Sequence, residues 1–376
     1  MTNQATNFDE LTRDCWVEIN AAQLTENVRI LKKQVNCPVL VAVKGNAYGH
    51  GYDIASRAFV KGGASYLGVA NYSEGVAVRN SGVTVPILIM SGSLSAEMKL
   101  AAAAGMDFFI FRPDHVEAVK QMATGMRPVR IHIKVDTGMG RLGCSPQEAL
   151  EIAKTLKNIP NVTIAGLATH FALTAPGNDF LPKQVALFDE AVKAFAAAGI
   201  RPEIIHAGKS ATIHDRHLNY DMIRLGIIAY GITPSIAGGF EIPAGVGPAL
   251  TWKARITSSK IFPAGAKISY GCEYEMPKQG RVGVLPVGYA DGYQRVPKEV
   301  NTVLIDGREC RAIGRINMDQ CMIDLGDMPD MTGAEVVLLG KQKNAELSVM
   351  ELSKRWETNT YGVYNGIMAR VPRREV

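Results

Sequence analysis

The sequence lacks the features that would indicate a membrane protein, a disulfide scaffold or a nucleic-acid-binding protein. No apolar run approaches the ~18 residues of a membrane span, and the polar first twenty residues have no signal-peptide core. The six cysteines include no C-x-x-C pair, so we expect reduced thiols. Charged residues make up only 20% of the chain and form no dense Lys/Arg block, which excludes a typical nucleic-acid partner. No histidine pair has a metal-ligand spacing. These absences predict a cytoplasmic enzyme without a metal.

The chain contains a repeated strand-and-helix pattern in its first two thirds. Its 376 residues exceed a comfortable single core, so two domains are expected. Apolar runs alternate with amphipathic, alanine-rich segments, and the runs are 39–44, 66–70, 86–91, 107–111, 130–136, 163–170, 203–208 and 221–228. Eight strands separated by helices are typical of a (β/α)8 barrel. Ser145 and Glu148 form a capping box around Pro146, and Asp114 with Glu117 predicts another helix start.

The last third of the sequence has a different residue periodicity. After about residue 235 helical periodicity fades, and Gly/Pro punctuation separates the β-rich stretches 250–262, 267–270, 281–287, 302–305 and 335–339. The segment 15–19 alternates like a strand before the first barrel helix. The pattern predicts an α/β chain with a barrel over residues 21–235 and a mostly-β C-terminal domain over residues 236–376.

Lys44 is the most informative residue, because it follows the apolar run 39–43 and precedes a glycine-rich stretch. Lysine is rarely buried unless it is paired. It either reaches solvent at the strand end, or it is a Schiff-base lysine whose amine is activated by a partly desolvated pocket. Barrel enzymes have their active sites at the carboxyl ends of the strands. Further polar residues at those predicted ends are Lys134, Asp136, His170, Ser210 and Arg224.

Five segments match one known family in the same order along the chain. They are 39–51 (VLVAVKGNAYGHG), 134–143 (KVDTGMGRLG), 269–271 (SYG), 288–293 (GYADGY) and 314–320 (GRINMDQ), and 370–373 (RVPR) is similar to the family's ending. Together they resemble the alanine racemases, which are fold-type III pyridoxal-phosphate amino-acid racemases. The resemblance covers nearly the whole chain. It implies a PLP-binding TIM barrel, a C-terminal β domain joined by the N-terminal strand (residues 1–20), and a homodimer with active sites shared between subunits.

The resemblance also implies residue roles. The catalytic residues would be Lys44, Tyr270, His170, Arg224 and Arg141. The cofactor would contact Lys44, Tyr48, His170, Ser210, Arg224, Gly226, Ile227 and Tyr361. The substrate would contact Arg141, Met318 and Asp319. Lys44 and Tyr270, the latter from the second subunit, would act on opposite faces of the substrate carbon, interconverting L- and D-alanine and supplying D-alanine for peptidoglycan.

Several of these residues also have structural interpretations. Arg224 either faces the pyridine nitrogen, which it would keep unprotonated because arginine cannot accept a hydrogen bond, or caps the barrel end. Lys134 matches a position that is carbamylated in many family members, and otherwise it would pair with Asp136. Ser210 would alternatively cap a helix. Asp319 would alternatively cap a loop.

The chain departs from the family pattern near the cofactor and the substrate. The departures are Lys209 in place of asparagine, Leu225 in place of proline, Gly362 in place of glutamate, Ala175 where an acidic residue is frequent, and Cys272-Glu273 after the Ser-Tyr-Gly segment. None of them removes a catalytic group, so they bear on the substrate more than on the reaction. A serine or broad-specificity racemase and a non-catalytic PLP carrier therefore stay as alternatives to alanine racemisation.

Overall fold

The computed structural model describes residues 13–125, 127–175, 177–234, 240–295 and 301–376. The chain divides into two compact units. The barrel unit contains Ala22–Ala47 and Tyr52–Pro248, and the β unit contains the chain up to Ala21, Tyr48–Gly51 and Ala249–Val376. The predicted domain boundary at residues 235 and 236, and most of the predicted N-terminal segment before residue 13, lie outside the described residues.

Strand β1 (Cys15–Ile19) comes first in the chain and belongs to the β unit. The barrel unit follows. Its strands are β2 (Val39–Ala42), β3 (Tyr66–Val69), β4 (Ile87–Ile89), β5 (Asp107–Ile110), β6 (Val129–Lys134), β7 (Val162–Ala168), β8 (Ile204–His206) and β9 (Ile223–Leu225). Its helices are α1 (Ala21–Val35), α2 (Tyr52–Lys61), α3 (Tyr72–Asn80), α4 (Ser95–Ala103), α5 (Pro113–Met122), α6 (Pro146–Leu156) and α7 (Phe180–Ala197).

The eight barrel strands pair in parallel in the order β8-β7-β6-β5-β4-β3-β2-β9. The two ends of this order meet through a parallel bridge between Lys209 and Arg224, and Arg224 N donates to Gly208 O at 3.0 Å. An apolar cluster fills the interior with Leu40, Tyr66, Leu88, Phe109, Ala168 and Met222. The predicted (β/α)8 barrel is therefore confirmed, and each of its eight apolar runs overlaps one strand.

The observed helix starts of the barrel can be compared with the two predicted N-caps. Ser145 Oγ accepts from Glu148 N and the Glu148 carboxylate accepts from Ser145 N, so the predicted capping box of α6 is present. The helix predicted at Asp114 is present, but the capping role of Asp114 was wrong, because α5 begins at Pro113 and its N-cap is Arg112. Proline suits the first helical position since its missing N–H would have no intrahelical partner there.

The β unit consists mainly of antiparallel strands. They are β10 (Leu250–Arg255), β11 (Ser258–Phe262), β12 (Lys267–Ile268), β13 (Tyr274–Glu275), β14 (Gly280–Leu285), β15 (Thr302–Ile305), β16 (Arg308–Ile313), β17 (Cys321–Gly326), β18 (Glu335–Gln342), β19 (Ala345–Leu347) and β20 (Arg373–Glu375). Its helices are α8 (Val349–Arg355) and α9 (Thr360–Gly366). The main sheet runs β11-β14-β17-β16-β15-β18-β10-β1-β20, and β19 pairs with β18. The mostly-β character of this part is confirmed.

Strand β1 lies between β10, to which it is antiparallel, and β20, to which it is parallel. The strands β13, β16, β17, β19 and β20 and the two helices were not predicted. Strands such as β16 (RECRAI) place charged side chains on an exposed face. Their sequences therefore lack the apolar runs that mark the barrel strands.

Candidate functional site

Polar side chains gather at the carboxyl end of the barrel strands. Lys134 ends β6, Arg224 lies within β9, and Ser210 follows β8, as the sequence predicted. Lys44 and His170 were predicted to end strands, but β2 and β7 end two residues before them. Both side chains therefore stand on the loops that follow the strands, where barrel enzymes place their reactive groups.

Lys44 is followed by a left-handed turn. Gly45, Asn46, Ala47 and Tyr48 have φ values of 63°, 53°, 53° and 51°. For a non-glycine residue this conformation costs roughly 1–2 kcal/mol. A turn of this kind persists only where its surroundings determine it, and such strain is concentrated at functional sites.

Glu74 holds this turn in place. One oxygen of its carboxylate accepts from Gly45 N at 2.8 Å, and the other accepts from Ala70 N at 2.7 Å. The residue lies in the first turn of α3 and was not singled out from the sequence. The charge-assisted bonds join the turn after Lys44 to the end of the neighbouring strand β3.

The environment of Lys44 favours a reactive amine. Burial of the amine lowers the pKa of Lys44, the charge of Arg141 lowers it further, and Glu74 opposes them. The residue keeps access to solvent. An accessible lysine with a lowered pKa has a larger fraction of neutral, nucleophilic amine than an ordinary surface lysine.

Arg224 is anchored through both terminal nitrogens. Nη1 donates to His206 Nδ1 and to His206 O at 2.8 Å each. Nη2 donates to Thr169 O at 2.6 Å and Ala207 O at 2.9 Å, and lies 3.4 Å from His170 Nδ1. Within the described chain none of its recorded hydrogen bonds uses Nε, so this N–H is left for another acceptor.

His170 lies beside Arg224 in a cationic neighbourhood. Burial holds the pKa of His170 well below its usual range, and the charges of Arg224, Lys134, Lys209 and Arg141 act in the same direction. The imidazole is therefore neutral at physiological pH. Because arginine can only donate, contact with Arg224 makes His170 Nδ1 the acceptor and leaves the proton on Nε2.

Lys134 is buried in the barrel below the loop that contains Arg141. Burial and the charge of Arg224 lower the pKa of Lys134 to about 7, and its Nζ lies 5.6 Å from the centroid of the Phe109 ring. The alternative interpretation paired it with Asp136. The structure records no ion pair between these two described residues.

The Asp136 carboxylate instead shapes the following loop. Its Oδ1 accepts from the N–H groups of Gly138, Met139 and Gly140 at 2.8–3.2 Å. Partial burial would raise the pKa of Asp136, but these bonds and Lys134 outweigh burial and lower it. Asp136 N donates to Cys144 O and Cys144 N donates to Lys134 O, which closes the loop that presents Arg141 exposed to solvent.

Ser210 and Gly226 lie together where the barrel closes. Ser210 Oγ accepts from Gly226 N at 2.8 Å, so the hydroxyl proton is left to donate elsewhere. The residue before it, Lys209, is the N-cap of the short 3-10 turn Ser210–Thr212, so the capping interpretation of Ser210 does not hold. Ile227 begins the next 3-10 turn. The Lys209 ammonium donates to Phe171 O at 2.9 Å and adds a cation to this end of the barrel.

The β unit brings three of the sequence motifs together. Tyr289 N donates to Asn317 O and Ala290 N donates to Met318 O, both at 3.0 Å. Ser269 Oγ donates to Arg315 O at 2.8 Å. A Cβ at Gly288 would lie 2.2 Å from Asn317 O, so the close approach of two motifs requires glycine.

Several predicted site residues of the β unit are exposed in the single chain. Tyr270 is 72% exposed, and Met318 is 53% exposed. Asp319 pairs with Arg370 at 2.6 Å. Tyr48 and Tyr361 have ring centroids 5.8 Å apart, and burial raises the pKa of Tyr361.

The structure also shows polar residues inside the barrel that sequence reasoning missed. They are Asp107, His132 and His206, all fully buried or nearly so. A signal existed in β6, whose sequence VRIHIK alternates polar and apolar residues although both faces of a barrel strand are normally apolar. Among the described residues no group of three or more His, Cys, Asp or Glu side chains could hold a metal ion. No described helix has the length and apolar character needed to cross a membrane.

Comparison with known proteins gives the same family over the whole chain. Residues 19–234 match the family described as "Alanine racemase, N-terminal domain", and residues 249–375 match "Alanine racemase, C-terminal domain". The alanine racemase of Symbiobacterium thermophilum is 38% identical over 367 residues, which cover 96% of this chain and 97% of that protein. That of Geobacillus stearothermophilus is 34% identical over 372 residues, which cover 97% of this chain and 94% of that protein.

Solved structures of alanine racemases are similar to this chain over nearly its full length. The alanine racemase of Streptomyces coelicolor has a TM-score of 0.90 at 31% identity, covering 98% of this chain and 99% of that one. The alanine racemase of Bacillus anthracis with bound L-Ala-P has a TM-score of 0.89 at 30% identity, covering 97% and 95%. The five motifs, the barrel followed by a mostly-β unit and these similarities establish that the chain belongs to the alanine racemase family.

Proposed function

We propose that this protein interconverts L- and D-alanine with pyridoxal 5'-phosphate as cofactor. The observation that supports this most strongly is Lys44, an accessible lysine of lowered pKa at the carboxyl end of the barrel. The product D-alanine would be used for peptidoglycan, and the protein would act in the cytoplasm as a homodimer.

The donors at this end of the barrel fit an anionic pyridine aldehyde. Ser210 has a hydroxyl proton to donate, and Lys209 adds a positive charge beside it. We propose that Ser210, Gly226, Ile227, Tyr48 and Tyr361 bind the phosphate. When bound, the cofactor would supply a carbonyl for the Lys44 amine and a ring that accepts electrons as the α-proton of the substrate leaves.

Arg224 would set the electronic character of that ring. Its terminal nitrogens are fully engaged, and Nε–H is the donor left over. Nε–H would donate to the ring nitrogen, which would keep its lone pair because arginine cannot supply a proton at physiological pH. A ring without that proton withdraws electrons less strongly. This favours return of the proton to carbon over decarboxylation or amino-group transfer.

Two groups would exchange the α-proton. Lys44 would act on one face, and Tyr270 of the second subunit would act on the other. His170 is neutral and has its proton on Nε2, so it would donate to the Tyr270 oxygen and favour the deprotonated phenol. Arg141, exposed on its loop, would bind the substrate carboxylate together with Met318 and Asp319.

The exposure of Tyr270 supports a shared active site. A base needed for the reaction is 72% exposed in the single chain, as expected if it enters the site of a second copy. Activity per protomer should then fall when dilution separates the dimer. Sedimentation velocity at the same concentrations would check this, and a fully active monomer would contradict the shared site.

We also propose that Lys134 becomes carbamylated. Its pKa of about 7 gives a neutral amine, the form that reacts with CO2 to form an N–C bond with loss of one proton. The product would be an anion, which the neighbouring charges of Arg224 and Arg141 would stabilise. The same cations make a charged lysine unfavourable at this position.

Alanine is the preferred substrate because Tyr361 would leave little room beyond a methyl group. A serine or broad-specificity racemase is the alternative within the same chemistry, since Gly362 and Ala175 depart from the family pattern. A non-catalytic PLP carrier is disfavoured because such proteins usually lack a β domain, which this chain has, with Tyr270, Tyr289 and Met318 exposed on it.

The decisive experiment measures the visible cofactor band, α-proton exchange and product chirality with L-alanine, L-serine and L-lysine. In Lys44→Ala we expect the loss of both the band and the activity. Lys209→Gln is the matched control, because it removes another lysine of lowered pKa from the same end of the barrel. It should keep the band, although it should bind the cofactor more weakly because the positive charge beside Ser210 is lost. A band without turnover of any amino acid would favour the carrier, and the absence of a band in the wild type would refute the proposal.

A further inference from the structure

A chain of hydrogen bonds crosses the barrel interior from Arg224 to Asp107. His206 Nδ1 lies 2.8 Å from Arg224 Nη1, and His206 Nε2 lies 2.9 Å from His132 Nδ1. His132 Nε2 lies 3.3 Å from Asp107 Oδ2. Asp107 is the first residue of β5, so it stands at the end of the barrel opposite Lys44. These hydrogen bonds therefore link the two ends of the barrel through buried side chains.

Arg224 at one end of this hydrogen-bond series and Asp107 at the other fix the positions of the imidazole protons between them. Arginine has only donors, so His206 Nδ1 must accept and its proton must be on Nε2. That proton points to His132 Nδ1, which must also accept. His132 then has its proton on Nε2 and donates to the Asp107 carboxylate, which can accept. Each bond thus donates in the same direction, and both imidazoles are neutral in the Nε2–H form.

The Asp107 carboxyl group accepts from two further donors. Tyr66 OH donates to Oδ2 at 3.2 Å, and Arg130 Nε donates to Oδ1 at 3.3 Å. Arg130 also pairs with Glu203 at 2.8 Å. Asp107 is only 1% exposed. Because it is buried and bonded to these donors, its carboxyl group offers His132 an acceptor of fixed orientation.

The barrel is built to admit His132. A Cβ at Gly166 would lie only 1.9 Å from His132 Nδ1, so the ring occupies space that any other residue would fill. The pairing of β6 with β7 shifts register between Ile131 and His132. The Phe109 ring stacks against His206 at an interplanar angle of 16°. These features restrict both rings to one orientation.

We propose that Asp107 is a positioning residue for Arg224, acting through His132 and His206. By accepting from His132 it fixes the Nε2–H form of both histidines, and so presents His206 Nδ1 as the acceptor that orients the Arg224 guanidinium. Without Asp107 a proton on His132 Nδ1 would force His206 to carry its own proton on Nδ1, facing the Arg224 N–H. This inference rests on the proposed function, in which Arg224 faces the cofactor.

The wild-type protein provides the first test. Neutron diffraction or 15N NMR of labelled histidine would locate the imidazole protons of the holoenzyme. We expect both His132 and His206 neutral with the proton on Nε2. A proton on Nδ1 of either ring, or a cationic ring, would overturn the proposal. This measurement does not depend on racemase activity, so it separates the inference from the proposed function.

Three variants separate positioning from a purely structural role. Asp107→Leu removes the acceptor, Asp107→Asn keeps one acceptor oxygen for His132, and Tyr66→Phe removes a hydrogen bond to the same carboxylate without touching the path to Arg224. We expect Asp107→Leu to lower kcat by about 10- to 100-fold, as found for outer partners that fix a histidine tautomer. KM should change far less, and the visible band of the cofactor should shift. Asp107→Asn should have a kcat and a visible band much closer to those of the wild type than Asp107→Leu has.

The control variant Tyr66→Phe shows which results would contradict the proposal. Tyr66→Phe should lower the thermal midpoint but keep the wild-type band and kcat. If Asp107→Leu keeps both, or if Tyr66→Phe alters them equally, the positioning role is refuted and the network is structural. If Asp107→Leu does not fold, the wild-type proton positions and the comparison of Asp107→Asn with Tyr66→Phe still decide. In that comparison a loss of activity confined to Tyr66→Phe would overturn the proposal.

Discussion

Replacement of Glu74 by glutamine tests how the left-handed turn after Lys44 is held. The carboxylate accepts two backbone N–H bonds of 2.8 and 2.7 Å, from Gly45 and Ala70. A hydrogen bond to a charged group contributes roughly 1.5–3 kcal/mol net. Glutamine keeps one acceptor oxygen and turns its NH2 toward the other N–H, so about one such bond is lost.

Glu74 joins the strained turn to the end of β3, so the loss of one bond should change the position of Lys44. If the whole loss appears in cofactor binding, about 1.5–3 kcal/mol corresponds to a roughly 10- to 150-fold increase in the Kd for pyridoxal phosphate. The pKa of Lys44 should also fall further, because the charge of Glu74 is the influence that raises it. The pH at which the amine reacts with the aldehyde should then shift downward.

The assay is a titration of apo protein with pyridoxal phosphate, followed by the visible band, beside denaturant unfolding of the same apo protein. Glu97→Ala is the matched control, because Glu97 Oε1 accepts one bond of the same kind from Tyr72 N at 2.8 Å. Both variants should unfold at lower denaturant, but only Glu74→Gln should bind the cofactor more weakly. A wild-type Kd in a measurably destabilised Glu74→Gln would refute the reasoning.

Two further predictions concern the barrel interior. Gly166→Ala should destabilise the protein by roughly 1–3 kcal/mol, because its Cβ would lie 1.9 Å from His132 Nδ1; denaturant unfolding should show this loss and little change for Gly366→Ala, whose Cβ meets nothing within 4 Å. Carbamylation of Lys134 should increase with pH at fixed CO2 pressure, since its amine becomes neutral as the pH rises through about 7. A 13C carbamate signal under labelled CO2 would measure this between pH 6 and pH 8, and its absence throughout would contradict the proposal.

The sequence alone determined the barrel and the position of Lys44 near the carboxyl end of its first strand. Barrel strands are buried on both faces, so the eight appear as mainly apolar runs, although β6 and β9 also include basic residues. Five strands of the β unit were not predicted, because strands such as β16 have one exposed face that carries charged side chains. Capping signals were reliable at Ser145, where the cap and its partner are local, and failed at Asp114, where Pro113 starts the helix one residue earlier.

Only the tertiary structure decided what surrounds those residues. Glu74 contacts the turn after Lys44 across 29 residues of sequence, and Asp107 reaches Arg224 through two histidines from other strands. Such contacts depend on strand order and register, which no local pattern specifies. The pKa of about 7 at Lys134 has the same origin, because burial and a neighbouring arginine exist only after the barrel has closed. Sequence motifs thus predicted the candidate site residues, whereas folding set their charge states and orientations.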